Sequence, residues 1–268
     1  MKNPTPTRTG VKRDTQDHST VVSRTIHVVL PAYNEAANVG AVLRSLEQAE
    51  RESSLRMHAI VVDDGSEDRT GEVVRSHDGK LQITLIQHLS NLGLGAALRD
   101  GLLSAMDSSL DDDLIVTMDA DDTHTPAAIV GMAAKIDQGF DVLIASRYRE
   151  GSEVVGVPLF RRFLSYSASL LFRIVFPIQG VRDFTCGYRA YRASVLREAT
   201  SRYREEFVNQ EGFQCMVDTL LKLSRMKLKF GEVPLVLRYD RKSGKSKMRI
   251  LRTINKTLIL LLKRRLGF

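Results

Sequence analysis

The chain has 268 residues, and its 43% hydrophobic and 26% charged residues are typical of a globular protein with one core. The net charge of +7 is unevenly placed, because residues 1–24 carry +3 and residues 238–268 carry +10, whereas the body between them carries −6. An acidic body excludes a duplex nucleic-acid-binding face on the domain, and basic ends favour contact with anionic lipid headgroups or phosphates.

The distribution of apolar residues predicts the domain organisation. Residues 1–24 are polar and lack the apolar stretch of a signal peptide, so they are predicted to be a disordered basic tail. Residues 25–247 are predicted to form one domain, and residues 248–268 a basic amphipathic helix. No segment reaches the roughly 18–20 apolar residues that span a bilayer. Two cysteines are too few for a disulfide framework and indicate a reducing, cytoplasmic compartment.

From residue 25 onward, short β-branched runs alternate with helical patterns. The predicted strands are Ile26–Leu30, Ala59–Val62, Ile83–Ile86, Leu114–Met118 and Val142–Ala145. The predicted helices lie at about 36–50, 68–77, 95–106 and 125–138, with Asn34 and Thr125 as caps and Pro126 in a first turn. This alternation predicts a doubly wound α/β fold, in which helices flank a mainly parallel sheet.

Polar residues follow four of the predicted strands. In open parallel sheets, ligands bind beyond the carboxyl ends of the strands. The segments found there are Pro31–Glu35, Asp63–Ser66, Asp119–Asp122 and Ser146–Tyr148. Carboxylates and an arginine are therefore expected to meet at one edge of the sheet.

Asp119 and Asp121 are the candidate metal ligands. If the strand continues through them, their side chains lie on the same side about 6–7 Å apart along the chain. Mg²⁺ and Mn²⁺ are commonly held by one or two carboxylates together with substrate phosphates. The alternative for an isolated Asp-x-Asp is a solvated acidic loop, and for Asp63–Ser66 it is a turn followed by a helix cap. Asn91–Gly95 is given no chemical role, because a strand-to-helix turn also explains its glycines.

Eight segments in chain order resemble glycosyltransferase family 2, and in particular its dolichyl-phosphate mannose synthase branch, over nearly all of residues 26–250. They are Pro31–Glu35, Val61–Ser66, Asn91–Gly95, Asp119–Asp121, Ser146–Tyr148, Pro158–Arg162, Val181–Arg192 and Arg241–Lys247. The resemblance implies a GT-A fold, which is a Rossmann-like nucleotide-sugar-binding fold. It also implies an inverting, metal-dependent transfer of a hexose, mannose above all, from a nucleotide-diphosphate sugar to a polyprenyl or dolichyl phosphate.

The same resemblance implies roles for individual residues. The nucleotide pocket would be lined by Pro31, Tyr33, Glu35, Val61 and Asp63. Mg²⁺ or Mn²⁺ would be held by Asp119 and Asp121, with Ala120 between them at the donor. Arg241 and Lys247 would bring positive charge to the diphosphate, and Arg147, Arg161 and Ser165 would meet the acceptor phosphate. The implied catalytic set is Asp119, Asp121, Arg147, Arg241 and Lys247. Each basic residue, taken alone, could instead be a solvated surface charge.

Two positions depart from the pattern of the branch. Thr123 stands where the branch usually has Gln, and Asp122 precedes it in place of an apolar residue. A hydroxyl, a water or Asp122 is therefore expected to fill the third ligand position. Cys186 stands where the branch often has Ser, and it is interpreted as a small buried residue rather than a nucleophile.

The acceptor type predicts the chemistry of the acceptor side. A sugar hydroxyl needs a positioned carboxylate as base, whereas a lipid phosphate is already an anion and needs cations to hold it. Segment 147–165 contains four arginines against Glu150 and Glu153, which favours the anion. The alternative is a hydroxyl acceptor with Glu211 as base, and Glu211 could also serve only at a helix start. A catalytically silent binding protein is disfavoured by the Asp119–Asp121 pair.

Residues 248–268 place leucines and isoleucines at near-helical spacing among basic residues. This pattern predicts a helix that lies in a bilayer interface, or one that packs on the body or on another chain. The expected partners are GDP-mannose or UDP-glucose as donor and a polyprenyl phosphate as acceptor. We expect peripheral contact with the membrane surface, direct or through a membrane-protein partner, and no nucleic acid.

Overall fold

The computed structural model describes residues 24–53 and 55–242. The predictions for the tail up to residue 23, for Lys247 and for the helix 248–268 lie outside the described residues.

A seven-stranded sheet forms the centre of the described chain, in the order β3-β2-β1-β4-β7-β5-β8. β7 is antiparallel to β4 and β5, and the other neighbours are parallel. The strands are β1 Thr25–Ala32, β2 Arg56–Asp63, β3 Gln82–Gln87, β4 Leu114–Thr117, β5 Val142–Ser146, β7 Arg189–Arg192 and β8 Phe230–Pro234. The five predicted strands and the mainly parallel sheet are confirmed.

Helices cover the sheet. They are α1 Val39–Ser53, α2 Thr70–Arg75, α3 Leu94–Ser108, α4 Ala127–Asp137, α5 Leu159–Val175, α6 Ala193–Tyr203 and α7 Gln214–Leu223. The four predicted helices are α1 to α4, and all four are present. The prediction that Asn34 caps α1 is wrong. Asn34 has φ 52° and lies five residues before Val39, the first residue of α1, and its Oδ1 accepts the Glu67 N–H at 2.8 Å. No side chain caps α4, whose first residue follows Pro126.

The core lies where the central strands meet these helices. The strand residues Val28, Ile60 and Ile115 are fully buried, as branched apolar side chains are in a sheet covered on both faces. α3 approaches β1 and β2 closely at Gly101, where a Cβ would lie 2.4 Å from Val29 Cγ1. The helices therefore hold the strand ends in fixed relative positions.

A second, two-stranded parallel sheet lies beside the main one. β6 Glu153–Val155 pairs with β9 Val236–Arg238. The chain then passes into the short 3₁₀ helix Tyr239–Arg241. Gly156, at φ 78°, packs against this turn, and a Cβ there would lie 2.8 Å from the Asp240 backbone nitrogen. The small sheet therefore brings residues 239–242 to the segment that precedes α5. In the described part of the chain, no helix is both long and apolar enough to cross a bilayer.

Candidate active site

The two candidate metal ligands lie in the loop after β4. The strand ends at Thr117, so it does not continue through Asp119 and Asp121. Thr123 in the same loop instead holds Asp121, because Asp121 Oδ1 accepts the Thr123 hydroxyl at 2.6 Å and the Thr123 N–H at 3.2 Å. Asp122 between them has φ 60°, a left-handed conformation that turns the chain sharply. Thr123 thus positions a carboxylate.

The charges around this loop differ for its two aspartates. The side chain of Asp119 is 44% exposed. Partial desolvation raises its pKa, and the nearby carboxylates of Asp121 and Glu35 act in the same direction. Burial alone would raise the pKa of Asp121, but the Lys242 ammonium outweighs burial and lowers it. Lys242 Nζ forms an ion pair with Asp121 Oδ2.

His124 is a member of this site that the sequence analysis missed. Its side chain is buried, and it stacks on the Tyr188 ring at a centroid distance of 5.0 Å. His124 Nδ1 accepts the Asp119 N–H at 3.4 Å and lies 4.0 Å from Asp119 Oδ2. The signal was its place in the sequence, directly after the candidate ligand loop. Nδ1 therefore acts as an acceptor, and the imidazole fixes the backbone of Asp119.

A divalent cation fits the oxygen donors of this loop. Asp119 and Asp121 offer carboxylates of the hard type that Mg²⁺ and Mn²⁺ prefer. The Lys242 ammonium already compensates Asp121, which shows that this position accommodates a cation. No cluster of three or more His, Cys, Asp or Glu side chains suited to a metal occurs in residues 24–53 and 55–242. Mg²⁺ in proteins is commonly held by one or two carboxylates together with substrate phosphates and water, which is the donor set that Asp119 and Asp121 fit.

The ends of β1 and β2 hold the residues expected at the nucleotide. Glu35 is buried, accepts the Asn38 Nδ2–H at 2.6 Å, and is close enough to raise the pKa of Lys242 together with Asp121. Asp63 accepts the Ser66 N–H and the Gln87 Nε2–H, both at 3.1 Å. Pro31 and Tyr33 are half-buried beside them.

Two of the residues expected at the nucleotide are closed off from solvent. Val61 is fully buried in the core and Ala120 is 2% exposed. Their side chains do not face an open pocket, so they shape it through packing and backbone position.

Asp64 organises the loop Asn91–Gly95. Its carboxylate accepts the Leu92 N–H at 2.9 Å and the Gly93 N–H at 2.8 Å. The Gly95 N–H donates to the Glu211 carbonyl oxygen at 3.0 Å, and a Cβ on Gly95 would lie 1.8 Å from the Gln210 oxygen. The amides of this loop are therefore engaged within the protein, and the loop holds the backbone of Glu211.

Arg147 is fixed by a buried carboxylate. Its Nε and Nη2 donate to the two oxygens of Asp183 at 2.8 and 2.7 Å, and Nη2 also donates to Thr185 Oγ1 at 2.6 Å. Asp183 is fully buried; burial would raise its pKa, but Arg147 outweighs that effect and lowers it. This bidentate pair sets the orientation of the guanidinium.

The other two residues expected at the acceptor lie on α5. Ser165 Oγ and the Tyr148 hydroxyl form a hydrogen bond of 2.7 Å. Arg161 Nη1 donates to the Tyr239 hydroxyl at 2.9 Å. The Tyr239 ring also lies 5.9 Å from Lys242 Nζ. Tyr239 thus links the arginine of α5 to the lysine that pairs with Asp121.

The sequence of residues 27–200 matches the model of the family described as Glycosyl transferase family 2. The chain belongs to glycosyltransferase family 2. This agrees with the resemblance found in the sequence and assigns the chain to a family of enzymes.

Similar curated members of this family carry related names. The chain is 30% identical to the dolichol-phosphate mannosyltransferase of Pyrococcus furiosus over 84% of its own length and 59% of that protein's. It is 31% identical to the polyprenol monophosphomannose synthase of Mycolicibacterium smegmatis, over 87% and 84% of the two chains. It is 30% identical to the undecaprenyl-phosphate mannosyltransferase of Micrococcus luteus, over 82% and 86%. The chain thus spans somewhat more than half of the first relative and most of the other two.

Solved structures of similar fold include glucosyl-3-phosphoglycerate synthase from Mycobacterium tuberculosis. Its complex with Mn²⁺, UDP-glucose and phosphoglyceric acid superposes with a TM-score of 0.62 at 19% identity, covering 91% of this chain and 80% of that one. Its complex with Mg²⁺ and UDP gives a TM-score of 0.63 at 20% identity, covering 91% and 80%. The likeness confirms the GT-A fold of this family 2 member.

The cysteines of this family 2 member are buried and unpaired with each other. Burial raises the pKa of the Cys186 thiol to about 12, so it is protonated at neutral pH. The interpretation of Cys186 as a small buried residue is confirmed.

Proposed function

We propose that this glycosyltransferase moves a hexose, mannose in the first place, from a nucleotide-diphosphate sugar to a polyprenyl phosphate at a membrane surface. The observation that carries the proposal is the connection from Asp121 through Lys242 and Tyr239 to Arg161. It joins a carboxylate site suited to a metal and a diphosphate to a cationic site suited to a second phosphate. The names of three relatives at 30–31% identity support mannose as the transferred sugar and a polyprenyl phosphate as the acceptor.

The donor half of the site would bind the nucleotide sugar. Pro31, Tyr33, Glu35 and Asp63 would surround the nucleoside, and Asp119 and Asp121 would hold Mg²⁺ or Mn²⁺. A divalent cation bound there would neutralise the charge that develops on the departing diphosphate. Arg241, Lys242 and Lys247 would add positive charge on the same side. Lys242 would then pass from Asp121 to the diphosphate oxygens.

The acceptor half of the site would bind a phosphate monoester. Arg161 and Ser165 would donate to its oxygens, and Arg147, fixed by Asp183, would supply further positive charge. A phosphate oxygen then attacks the anomeric carbon from the face opposite the diphosphate, and the bond to the diphosphate oxygen breaks with its electron pair. The configuration at the anomeric carbon is inverted. No proton has to be removed, because the attacking oxygen is already anionic.

The test is a matrix of donors and acceptors. GDP-mannose and UDP-glucose are each incubated with a short-chain polyprenyl phosphate, in Mn²⁺, in Mg²⁺ and with a chelator. We expect sugar transfer from GDP-mannose that requires the metal and the phosphate group. The matched control acceptor is the same polyprenol without its phosphate, which should receive no sugar.

Transfer to the unphosphorylated polyprenol or to a sugar hydroxyl would contradict the proposal. A hydroxyl acceptor needs a base, so Glu211→Gln would then abolish transfer. With a phosphate acceptor we expect Glu211→Gln to retain activity, because the position of Glu211 beside Gly95 rests on its backbone carbonyl. The two outcomes separate the two acceptor classes.

A further inference from the structure

Lys242 lies in the candidate metal site, although the sequence motifs predict no role for it. It belongs to the segment Arg241–Lys247, in which only the first and last residues were expected at the diphosphate. Its Nζ forms an ion pair with Asp121 Oδ2, and only 13% and 12% of the two side chains are exposed. A lysine so far removed from water is part of the site and differs from a solvated surface charge.

The segment that carries Lys242 is bonded to the loop of the candidate ligands. The Arg238 N–H donates to the Thr123 carbonyl oxygen at 2.9 Å. The 3₁₀ helix Tyr239–Arg241 follows directly and leads into Lys242. A backbone hydrogen bond therefore brings Lys242 close to Asp121. Because lysine has a flexible four-carbon stem, its ammonium can exchange one partner for another while the backbone stays in place.

Three carboxylates act on the Lys242 ammonium. Burial would lower its pKa, but Asp121 outweighs burial and raises it, and Glu35 and Asp119 act in the same direction as Asp121. Glu35 follows the end of β1, and the two aspartates follow the end of β4. The ammonium thus lies where carboxylate oxygens converge, which is also the place that suits a divalent cation.

The two oxygens of Asp121 have different partners. Oδ1 accepts both the hydroxyl and the N–H of Thr123. Oδ2 is the oxygen that pairs with Lys242. A divalent cation on Asp121 would therefore meet the ammonium at Oδ2, and two positive charges on one carboxylate oxygen repel each other strongly away from water. The cation and the ammonium are competitors for the same atom.

We propose that Lys242 competes with the divalent cation for Asp121, and that a nucleoside diphosphate ends this competition by taking over the ammonium. The proposal rests on the proposed function, which places a diphosphate beside this loop. Diphosphate oxygens are anions that accept hydrogen bonds from an ammonium and also serve as ligands of Mg²⁺ and Mn²⁺. Metal and nucleotide therefore bind as a unit, and each binds weakly alone.

Such a competition has a thermodynamic signature. If the nucleoside diphosphate strengthens Mn²⁺ binding by some factor, Mn²⁺ strengthens binding of the nucleotide by the same factor. In the parent this factor includes the transfer of Lys242 from Asp121 to the diphosphate. Removal of the ammonium should therefore strengthen the binding of Mn²⁺ alone and leave a smaller factor for the nucleotide to add.

The experiment measures Mn²⁺ binding to the full chain by electron paramagnetic resonance, with and without GDP. The variant is Lys242→Met, which keeps a long side chain but removes its charge. We expect it to bind Mn²⁺ alone about tenfold or more tightly than the parent, the size of a charged hydrogen bond, and to gain correspondingly less from GDP. Lys242→Arg keeps the charge and should bind Mn²⁺ alone as weakly as the parent.

Two control variants define the Mn²⁺ signal. Lys227→Met removes the same charge from an exposed position before β8, at the opposite end of the sheet, and should bind Mn²⁺ like the parent. Asp121→Asn should lose the tight site with and without GDP, which separates this site from other carboxylates at the surface. Circular dichroism checks that each variant is folded.

Two results would overturn the proposal. One is a parent that binds Mn²⁺ equally tightly with and without the nucleotide, a measurement that needs no variant and so does not depend on how a substitution folds. The other is Lys242→Met that binds Mn²⁺ alone no more tightly than the parent. The titrations are repeated with UDP, because the competition depends on the diphosphate, and the same ratio between parent and variant is expected with whichever nucleotide binds.

The test is independent of the acceptor, because none is present. Absent transfer to a polyprenyl phosphate, with Mn²⁺ binding as expected, would refute the proposed function and leave the competition in place. Transfer as proposed, with Mn²⁺ binding that does not respond to the nucleotide or to Lys242→Met, would refute the competition alone.

Discussion

The two halves of the candidate site are built in different ways. In the donor half, Glu35, Asp63 and Asp119 lie at or just after the ends of β1, β2 and β4, whose pairing in one parallel sheet brings them together. In the acceptor half, Arg147, Ser165 and Arg161 are held by side-chain bonds to Asp183, Tyr148 and Tyr239. The backbone therefore positions the donor half, whereas paired side chains position the acceptor half.

This difference predicts which substitutions disturb structure and which disturb chemistry. A carboxylate after a strand can be changed without moving the strand, so the donor half should lose activity before it loses stability. Removal of one member of a buried ion pair leaves the charge of the other uncompensated. Substitutions in the acceptor half should therefore reduce both activity and stability.

The largest expected effect on stability is that of Asp183→Asn. The substitution leaves the Arg147 guanidinium without its buried counter-charge, which should cost about 3–5 kcal/mol in the free energy of unfolding. Urea denaturation measures it. The matched control is Asp240→Asn, which breaks the exposed Arg238–Asp240 pair and should barely change the unfolding midpoint. Equal stability of the two variants would show that the acceptor half does not depend on the buried pair.

Asp121→Asn should have the largest effect on catalysis with the fold intact. It keeps the shape of the side chain but removes the charge that would hold the cation, so turnover should fall by about 100- to 1000-fold or more. Initial transfer rates across a Mn²⁺ titration measure the loss, and circular dichroism checks the fold. Asp112→Asn, at an exposed turn before β4, is the control and should stay near the parent. Turnover within a factor of about ten, with metal still required, would remove Asp121 from the metal site.

Arg161→Ala tests whether the two halves can be separated. An arginine–phosphate contact contributes about 1.5–3 kcal/mol, so use of the lipid phosphate should weaken about 10- to 100-fold. Binding of the nucleotide sugar, measured by calorimetry, should change little. Arg162→Ala, the exposed neighbour, is the control in the transfer assay with a short-chain polyprenyl phosphate. An equal loss of donor binding would place Arg161 on the nucleotide side.

The smallest expected effect is a pH dependence of stability at the opposite end of the sheet. His27 and His58 are buried and their Nδ1 atoms lie 3.2 Å apart. Burial lowers the pKa of both histidines. At His27, Asp113 opposes this shift and Arg197 adds to it. The folded state therefore binds fewer protons than the unfolded state once the pH falls below about 6.5, and stability decreases toward lower pH.

Thermal unfolding between neutral and mildly acidic pH measures this effect. We expect the melting temperature of the parent to fall by about 2–4 °C more than that of His58→Gln over this interval. The rate of sugar transfer to a short-chain polyprenyl phosphate at neutral pH should be the same for both proteins, because these histidines lie away from the site. A parallel decrease in the two melting curves would assign the pH dependence to other groups.

The sequence determined the parallel sheet and the residues at its edge. Period-two and continuous apolar runs depend on local residue order, so the five predicted strands and four predicted helices could be found without tertiary contacts. The positions of Glu35, Asp63, Asp119 and Asp121 follow from those strands, since parallel strands end at a common edge. The family motifs, which are also local, identified the class of enzyme.

Only the tertiary structure decided how the basic side chains are used. Arg147 meets Asp183, Lys242 meets Asp121 and Arg161 meets Tyr239 across 36, 121 and 78 residues of sequence. No local pattern encodes contacts over such sequence separations. The residues around a lone arginine do not show whether its side chain is solvated or forms an ion pair. The exposed apolar side chains of α5 were missed for the same reason. His124 was missed although its place directly after the candidate ligand loop was a local signal. The period of a helix shows that it has an apolar side, but whether that side is covered depends on what packs against it.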